Sequence, residues 1–193
     1  MRMSEVKMDR RIRKTKSLLW HGLAALMMER DIQDISVKRL TEYVDLNRST
    51  FYIHYKDINQ LLDSIENELM EEFREIISHN IDISNLYESN LQLLHDLYRD
   101  LLLNREIISA LLGPHGDFQF IKKLKQILTE RIEEIGKALN YSEEVLAYYS
   151  AFCFTGCVGI IQQWIETDFE QSPEHIADIT NRFMIHGMDA ILH

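Results

Sequence analysis

Between positions 47 and 56 the chain reads NRSTFYIHYK, which crowds an amide, a guanidinium, two hydroxyls, two phenols, an imidazole and an ammonium around the apolar Phe51. Each of these groups donates hydrogen bonds, and such a set suits the recognition of oxygen and nitrogen acceptors. On a helix entering a DNA major groove, a guanidinium such as that of Arg48 can bond bidentately to guanine, and Thr50 or Ile53 can touch a thymine methyl. Ser49 stands beside them, while Tyr52 and His54 are suited to phosphate oxygens, which fix the register of a protein on the duplex.

A helix must carry these groups, and the sequence marks its start. Asn47 is a good N-cap, and Leu46 with Phe51 has the spacing of a hydrophobic staple. A preceding short helix starts after Ser36, with Ile35 and Leu40 at the same staple positions and Val37, Leu40 and Val44 inward. Two short stapled helices joined by a turn at Asp45 and Leu46 predict a helix-turn-helix. Ser36 and Lys38 then stand at a helix N-terminus that favours phosphate, and Lys14 and Lys56 flank the motif in sequence.

The remaining pattern is helical throughout. A first helix is expected over 10–30, with Ile12, Leu19, Leu23, Leu26 and Met27 on one side, and others over 57–79, 84–103, 105–113, 118–140, 143–168 and 173–192. With two prolines, seven glycines and no sustained alternation, 193 residues predict an all-α chain. Residues 1–56 would form the helix-turn-helix domain and 57–193 a helical effector-binding and dimerisation domain.

Charge supports that division. Up to Gln60 there are twelve Lys/Arg and eight Asp/Glu, whereas the remainder holds nine basic and 23 acidic residues, within a net charge of -10. A basic head on an acidic body favours contact between the head alone and a polyanion.

The stretch ISVKRLTEYVDLNRSTFYIHYKDINQLL, above all Thr50-Phe51-Tyr52, His54-Tyr55 and Leu61-Leu62, resembles the DNA-binding domain of the TetR family of bacterial transcriptional regulators, from about Arg11 to Leu62. The resemblance implies DNA contact at Thr50, Tyr52 and His54 and a matching basic residue at Lys56. It departs from the family at Asp45, where glycine is usual, and at Ile58, where many members have a phosphate-binding lysine. ALLGPHGDFQFIKKLKQIL and GCVGIIQQWIETDFEQSPEHIADI are similar to the branch that includes regulators of dihydroxyacetone kinase genes.

Membership implies a homodimer on a double-stranded, pseudo-palindromic operator, usually a repressor released by a small-molecule effector. Activation, or a coactivator controlled by a protein partner, is the alternative. The resemblance places the last two helices in the dimer interface. Gly156 and Gly159 lie well inside the first of them, at about 1 kcal/mol each relative to alanine, so a close approach by another helix or a ligand is expected to offset them. Cys153, Gly156, Cys157 and Ile160, with Ile176, Ile179, Phe183, Gly187 and Met188, make up the expected face. An effector cavity would be lined by Tyr98, Leu102, Phe120, Tyr148, Phe152 and Trp164, with His95 and Arg99 as polar anchors.

Other chemistries find little support. The sequence has no GxSxG elbow, Walker loop, dinucleotide fingerprint or HExxH, so no enzyme and no cofactor is expected. His95, His115, His175 and His186 follow no metal-ligand spacing, and Cys153 and Cys157 are expected to be core thiols in a reducing cytoplasm. The run LLWHGLAALMM is interrupted by His21 and ends at Glu29 without a cleavage site. This run and AFCFTGCVGII fall short of the roughly 20 apolar residues of a membrane span, so no membrane partner is expected.

Overall fold

The structure, a computed structural model, describes residues 2–78 and 82–189, with side chains from 11 to 186. These residues form nine α-helices and no strand: α1 Arg2–Met27, α2 Val37–Tyr43, α3 Arg48–His54, α4 Ile58–Ile77, α5 Leu86–Leu103, α6 Arg105–Leu112, α7 Phe118–Ala138, α8 Glu143–Glu166 and α9 Pro173–Asp189. The all-α architecture is the one expected. Short 3-10 turns at Ile32–Asp34 and Ile83–Asn85 lie in the α1–α2 and α4–α5 connectors. α1 starts at Arg2, ahead of the apolar stripe that pointed to residue 10, because a charged helical turn leaves no periodic signal.

The chain divides into two compact units. One holds the residues up to Glu68 together with Glu106–Asp117, and the other holds Leu69–Arg105 together with the chain from Phe118 onward. The expected boundary at 56/57 falls inside the first unit, which takes in the start of α4 and nearly all of α6.

The core of the first unit is built from Leu19, Leu23, Leu40, Phe51, Leu61 and Ile108, each fully shielded from solvent. Burying a leucine or phenylalanine completely is worth about 1.5–3 kcal/mol, so this cluster fixes how α1, α2, α3, α4 and α6 meet. Gly22 is the point of closest approach between α1 and the end of α2, where a Cβ would overlap Val44 and crowd Leu40. Trp20 donates its indole N–H to the Tyr55 hydroxyl at 3.4 Å, which ties α1 to the end of α3.

In the second unit α5 packs on α9 and α7 on α8. A Cβ at Gly136 would overlap Leu146, so glycine permits the close α7–α8 approach. Trp164 is buried edge-on against Tyr98 at 5.7 Å and Phe169 at 5.0 Å, and its indole N–H donates to the Gln171 carbonyl at 2.9 Å. The chain reverses there through Asp168 and Phe169, both left-handed at φ 50° and 56°. Such angles are uncommon for a residue with a side chain, and the Phe169 ring against Trp164 helps to hold them.

Candidate nucleic-acid interface

The recognition element is made by local capping before any tertiary contact. Ser36 accepts a hydrogen bond from the Arg39 amide at 3.2 Å and starts α2. At its far end the Leu46 amide donates to the Thr41 carbonyl at 2.8 Å, and Asp45 adopts φ 51°. Aspartate is among the residues that tolerate this left-handed conformation, so the turn forms without the usual glycine. The Asn47 side chain then accepts from both the amide and the hydroxyl of Ser49, each at 2.9 Å, and starts α3. Asp57 caps α4 through the Gln60 amide at 2.8 Å, and Gln60 accepts from the Lys56 amide.

With Phe51 and Tyr55 buried, α3 turns its other side to solvent. Arg48, Ser49, Tyr52 and Ile53 are exposed, the last two at 58% and 76%, and Thr50 and His54 are half-buried at the margins. The Phe51 ring meets Tyr52 edge-on at 5.5 Å and so steadies the exposed phenol. Lys14, Ser36, Lys38 and Lys56 are exposed as well. The ten expected contact residues thus all belong to the first unit, though Asn47 and Ser49 spend hydrogen-bonding capacity on each other and Lys38 lies 3.9 Å from Glu42. Tyr43, which lies off the Val37, Leu40, Val44 face, is 59% exposed at the end of α2 beside the turn.

The residues expected to line an effector cavity differ widely in exposure. Tyr98, Phe120 and Trp164 are fully buried core residues, whereas Tyr148 and Phe152 are 74% and 58% exposed. His95 and Leu102 are half-buried, and Arg99 is exposed and paired with Glu174 at 2.8 Å. The Glu174 carboxyl lies below the usual carboxylate range, first through its own backbone amide and then through Arg99. The Tyr98 hydroxyl sits 2.8 Å from Thr180 Oγ1, whose own proton goes to the Ile176 carbonyl. Burial raises the Tyr98 phenol well above its ordinary range, so it is a hydrogen-bonded core tyrosine.

Five of the expected dimer-face residues, Cys153, Gly156, Cys157, Ile160 and Phe183, fall around one apolar recess. Phe152, Cys153, Gly156, Cys157, Ile160, Thr180, Phe183 and Met184 line a cavity of about 300 Å³ between α8 and α9. A Cβ at Gly156 or Gly159 would meet nothing within 4 Å, so the close approach expected at these glycines is not made by the chain itself. Phe183 is 60% exposed, Ile176 is buried, Ile179 is half-buried, and Gly187 and Met188 lie outside the described side chains. By length and composition alone α8 is apolar enough to cross a membrane, although its unbroken apolar run is shorter than a span. The Cys157 thiol is pushed up to about 12, first by burial and then by Cys153, and burial raises Cys153 too. Among the described residues no group of three or more His, Cys, Asp and Glu side chains is placed to hold a metal ion.

Comparison with known proteins fits this arrangement. Residues 88–186, just over half of the chain, match the model of a family described as "Transcriptional regulator C-terminal region". Among solved structures, the fatty acid degradation regulator FadR from Bacillus halodurans is similar with a TM-score of 0.69 at 13% identity, over 90% of this chain and 95% of that one. FadR from Bacillus subtilis, solved in complex with stearoyl-CoA, gives 0.64 at 12% identity over 89% and 98%. The dihydroxyacetone kinase operon activator DhaS gives 0.58 at 16% identity over 91% and 97%. At these identities the likeness is one of fold. No curated protein sequence matches the chain significantly.

Proposed function

Because the chain belongs to the TetR family of transcriptional regulators, we propose that it binds a pseudo-palindromic operator as a homodimer and releases it when a small-molecule effector binds the C-terminal helices. The observation that carries this reading is the capped α2–turn–α3 unit, with Arg48, Tyr52 and Ile53 held outward on a buried Phe51. Residues at the N-terminal end of α3 would read base edges, with Arg48 bonding a guanine and Tyr52, His54, Lys38 and Lys56 holding phosphates. A two-fold pair of heads would meet successive major grooves about 34 Å apart.

The second copy would cover the α8–α9 recess. Exposed Tyr148, Phe152 and Phe183 around open glycines form an apolar face without a partner in one chain, and a two-fold contact buries it on both copies at once. Effector binding would favour a head separation that no longer matches the grooves, and its free energy for that state sets how far the operator is released. The stearoyl-CoA bound to the Bacillus subtilis FadR favours acyl thioesters as the first effectors to try. Activation is kept as the second reading because DhaS, of similar fold, is described as an operon activator.

The test is binding of the purified chain to fragments of its own upstream DNA, with Arg48→Ala alongside. Saturable binding at one pseudo-palindromic site, weakened at least tenfold in the variant while the dimer persists, is expected. Loss of the dimer together with binding would count against the assignment of functions to the two units. Acyl thioesters that raise the melting temperature and release the DNA would support the effector reading, because a ligand of the folded state stabilises it by mass action.

A further inference from the structure

The second unit is acidic, with nine basic and 18 acidic residues, and most of its positive charge is already neutralised. Arg74 pairs with Glu71 at 2.7 Å, Arg99 with Glu174 at 2.8 Å, Arg131 with Glu134 at 2.6 Å, Lys137 with Glu133 at 3.7 Å and Arg182 with Asp178 at 2.9 Å. The first half of α7 departs from this pattern. Its sequence FQFIKKLKQIL holds three lysines and no carboxylate. Lys123 is half-buried and has a partner, but Lys122 and Lys125 are exposed and form no ion pair among the described residues.

Positions 118, 122 and 125 fall on one side of the helix, over about 10 Å of its length. Phe118 is 73% exposed there, whereas Phe120 is fully buried, so the core takes the second ring and leaves the first outside. A single exposed phenylalanine would be ordinary. Beside it, however, two ammonium groups stand three residues apart with no counter-charge, an arrangement that destabilises a helix. Such local conflicts gather where a surface is shaped for something outside the chain. A small anion with a flat apolar part resolves both, because phosphates neutralise the lysines and a purine covers the ring. The carboxylates of the rest of the unit repel a long polyanion, which favours a compact ligand.

We propose that Phe118, Lys122 and Lys125 bind a purine nucleotide carrying two or more phosphates, either free or as the nucleotide end of a coenzyme A thioester. Phe118 stacks on the base, and the two ammonium groups donate to phosphate oxygens. The inference rests on the effector reading above and names the part of the molecule that α7 holds.

Calorimetric titration of the full chain with ADP, coenzyme A and stearoyl-CoA tests it, with Lys122→Gln/Lys125→Gln and Phe118→Ala alongside. Circular dichroism should show the same helix content in all three chains, because the altered side chains are exposed. Saturable binding is expected, weakened about tenfold or more in the lysine variant through the lost charged hydrogen bonds. Lost stacking should weaken Phe118→Ala by roughly tenfold as well. Phe118→Tyr and Lys122→Arg/Lys125→Arg should keep the wild-type affinity. Equal affinity for ADP and coenzyme A supports the site with a free nucleotide as its ligand, and tighter binding of stearoyl-CoA supports it with the thioester.

A wild-type chain that binds neither ADP nor coenzyme A overturns the proposal. Pyrophosphate that binds as tightly as ADP, with Phe118→Ala unaffected, also overturns it, because the base would then make no contact. So does an equal loss in Arg74→Gln/Arg182→Gln, which removes charge elsewhere in the second unit. Binding of poly-glutamate in place of nucleotides would overturn it in favour of an acidic protein partner. Nucleotide binding that leaves operator affinity unchanged would sink the effector reading while the site stands. An operator released by another ligand, with no nucleotide bound, would do the reverse.

Discussion

The side-chain amide of Asn90 on α5 donates to the side-chain oxygen of Asn181 on α9 at 2.7 Å, and both residues are buried. Asn181 in turn donates to the Tyr87 carbonyl at 3.2 Å, so the pair fixes how far α9 has slid along α5. In an apolar interface these amides have few other partners, and the register that satisfies them is set apart from its neighbours. Replacing Asn181 by Leu should cost about 1–3 kcal/mol, because Asn90 keeps a buried donor with nothing to receive it. The Asn90→Leu/Asn181→Leu pair should cost less than the sum of the two single changes. Urea unfolding of the three variants measures that coupling.

Gly22→Ala should also destabilise, despite the roughly 1 kcal/mol by which alanine exceeds glycine as a helix former. The new methyl overlaps Val44, and overpacking of this kind costs typically about 1–3 kcal/mol. Val44→Ala in the same chain should restore the melting temperature. A stabilised Gly22→Ala chain would mean that α1 and α2 are not in close contact.

The local part of this architecture was legible in the sequence because its determinants lie within a few residues of one another. Ser36 and Asn47 cap the helices that they seemed placed to cap, and Asp45 makes the left-handed turn that glycine usually makes. The start of α1 was not legible, since the charge-rich stretch before residue 10 carries no regular apolar stripe. Nor was the wall of the second unit. Tyr98 and Thr180 meet across 82 residues, and whether an aromatic side chain ends in the core, like Trp164, or on the surface, like Tyr148, depends on packing far along the chain. Periodicity identified the faces of α8 and α9 as apolar, yet only the structure shows that the chain leaves Gly156 and Gly159 uncovered.

Gly156 offers a test of the two-fold contact that is independent of DNA. Within one chain an added methyl meets nothing, so Gly156→Ala should raise the intrinsic stability of α8 by about 1 kcal/mol. If a second copy presses on this point, the same methyl should weaken the dimer. Sedimentation at several concentrations should show a raised dissociation constant, with Gly156→Leu losing the dimer altogether. A dimer indifferent to leucine at 156 would have to use another face.

The thiols make the fold sensitive to alkali. Burial raises both, Cys157 up to about 12, whereas an unfolded cysteine ionises near about 8.5. The folded chain holds these protons longer than the unfolded chain, so the stability present below that lower value is lost as pH rises toward the higher one. The urea midpoint should therefore fall between pH 8 and pH 10, and fall less in Cys157→Ala. In the same range iodoacetamide should label the folded chain far more slowly than the unfolded one, as mass spectrometry can follow.

The grouping of Glu106–Asp117 with the residues up to Glu68 has a practical consequence for anyone who would transplant this reading head. Ile107, Ile108, Ala110 and Leu111 are buried, and three of them line the same small void as Leu23, Met27, Leu62 and Ile65. A fragment ending near residue 68 would leave that surface bare, as a lid lifted from its box, and should aggregate or melt early. Heads of this design cannot be exchanged between regulators by a single cut. A working chimera needs three junctions, one inside α4 and one on either side of α6, so that α6 travels with the head it completes.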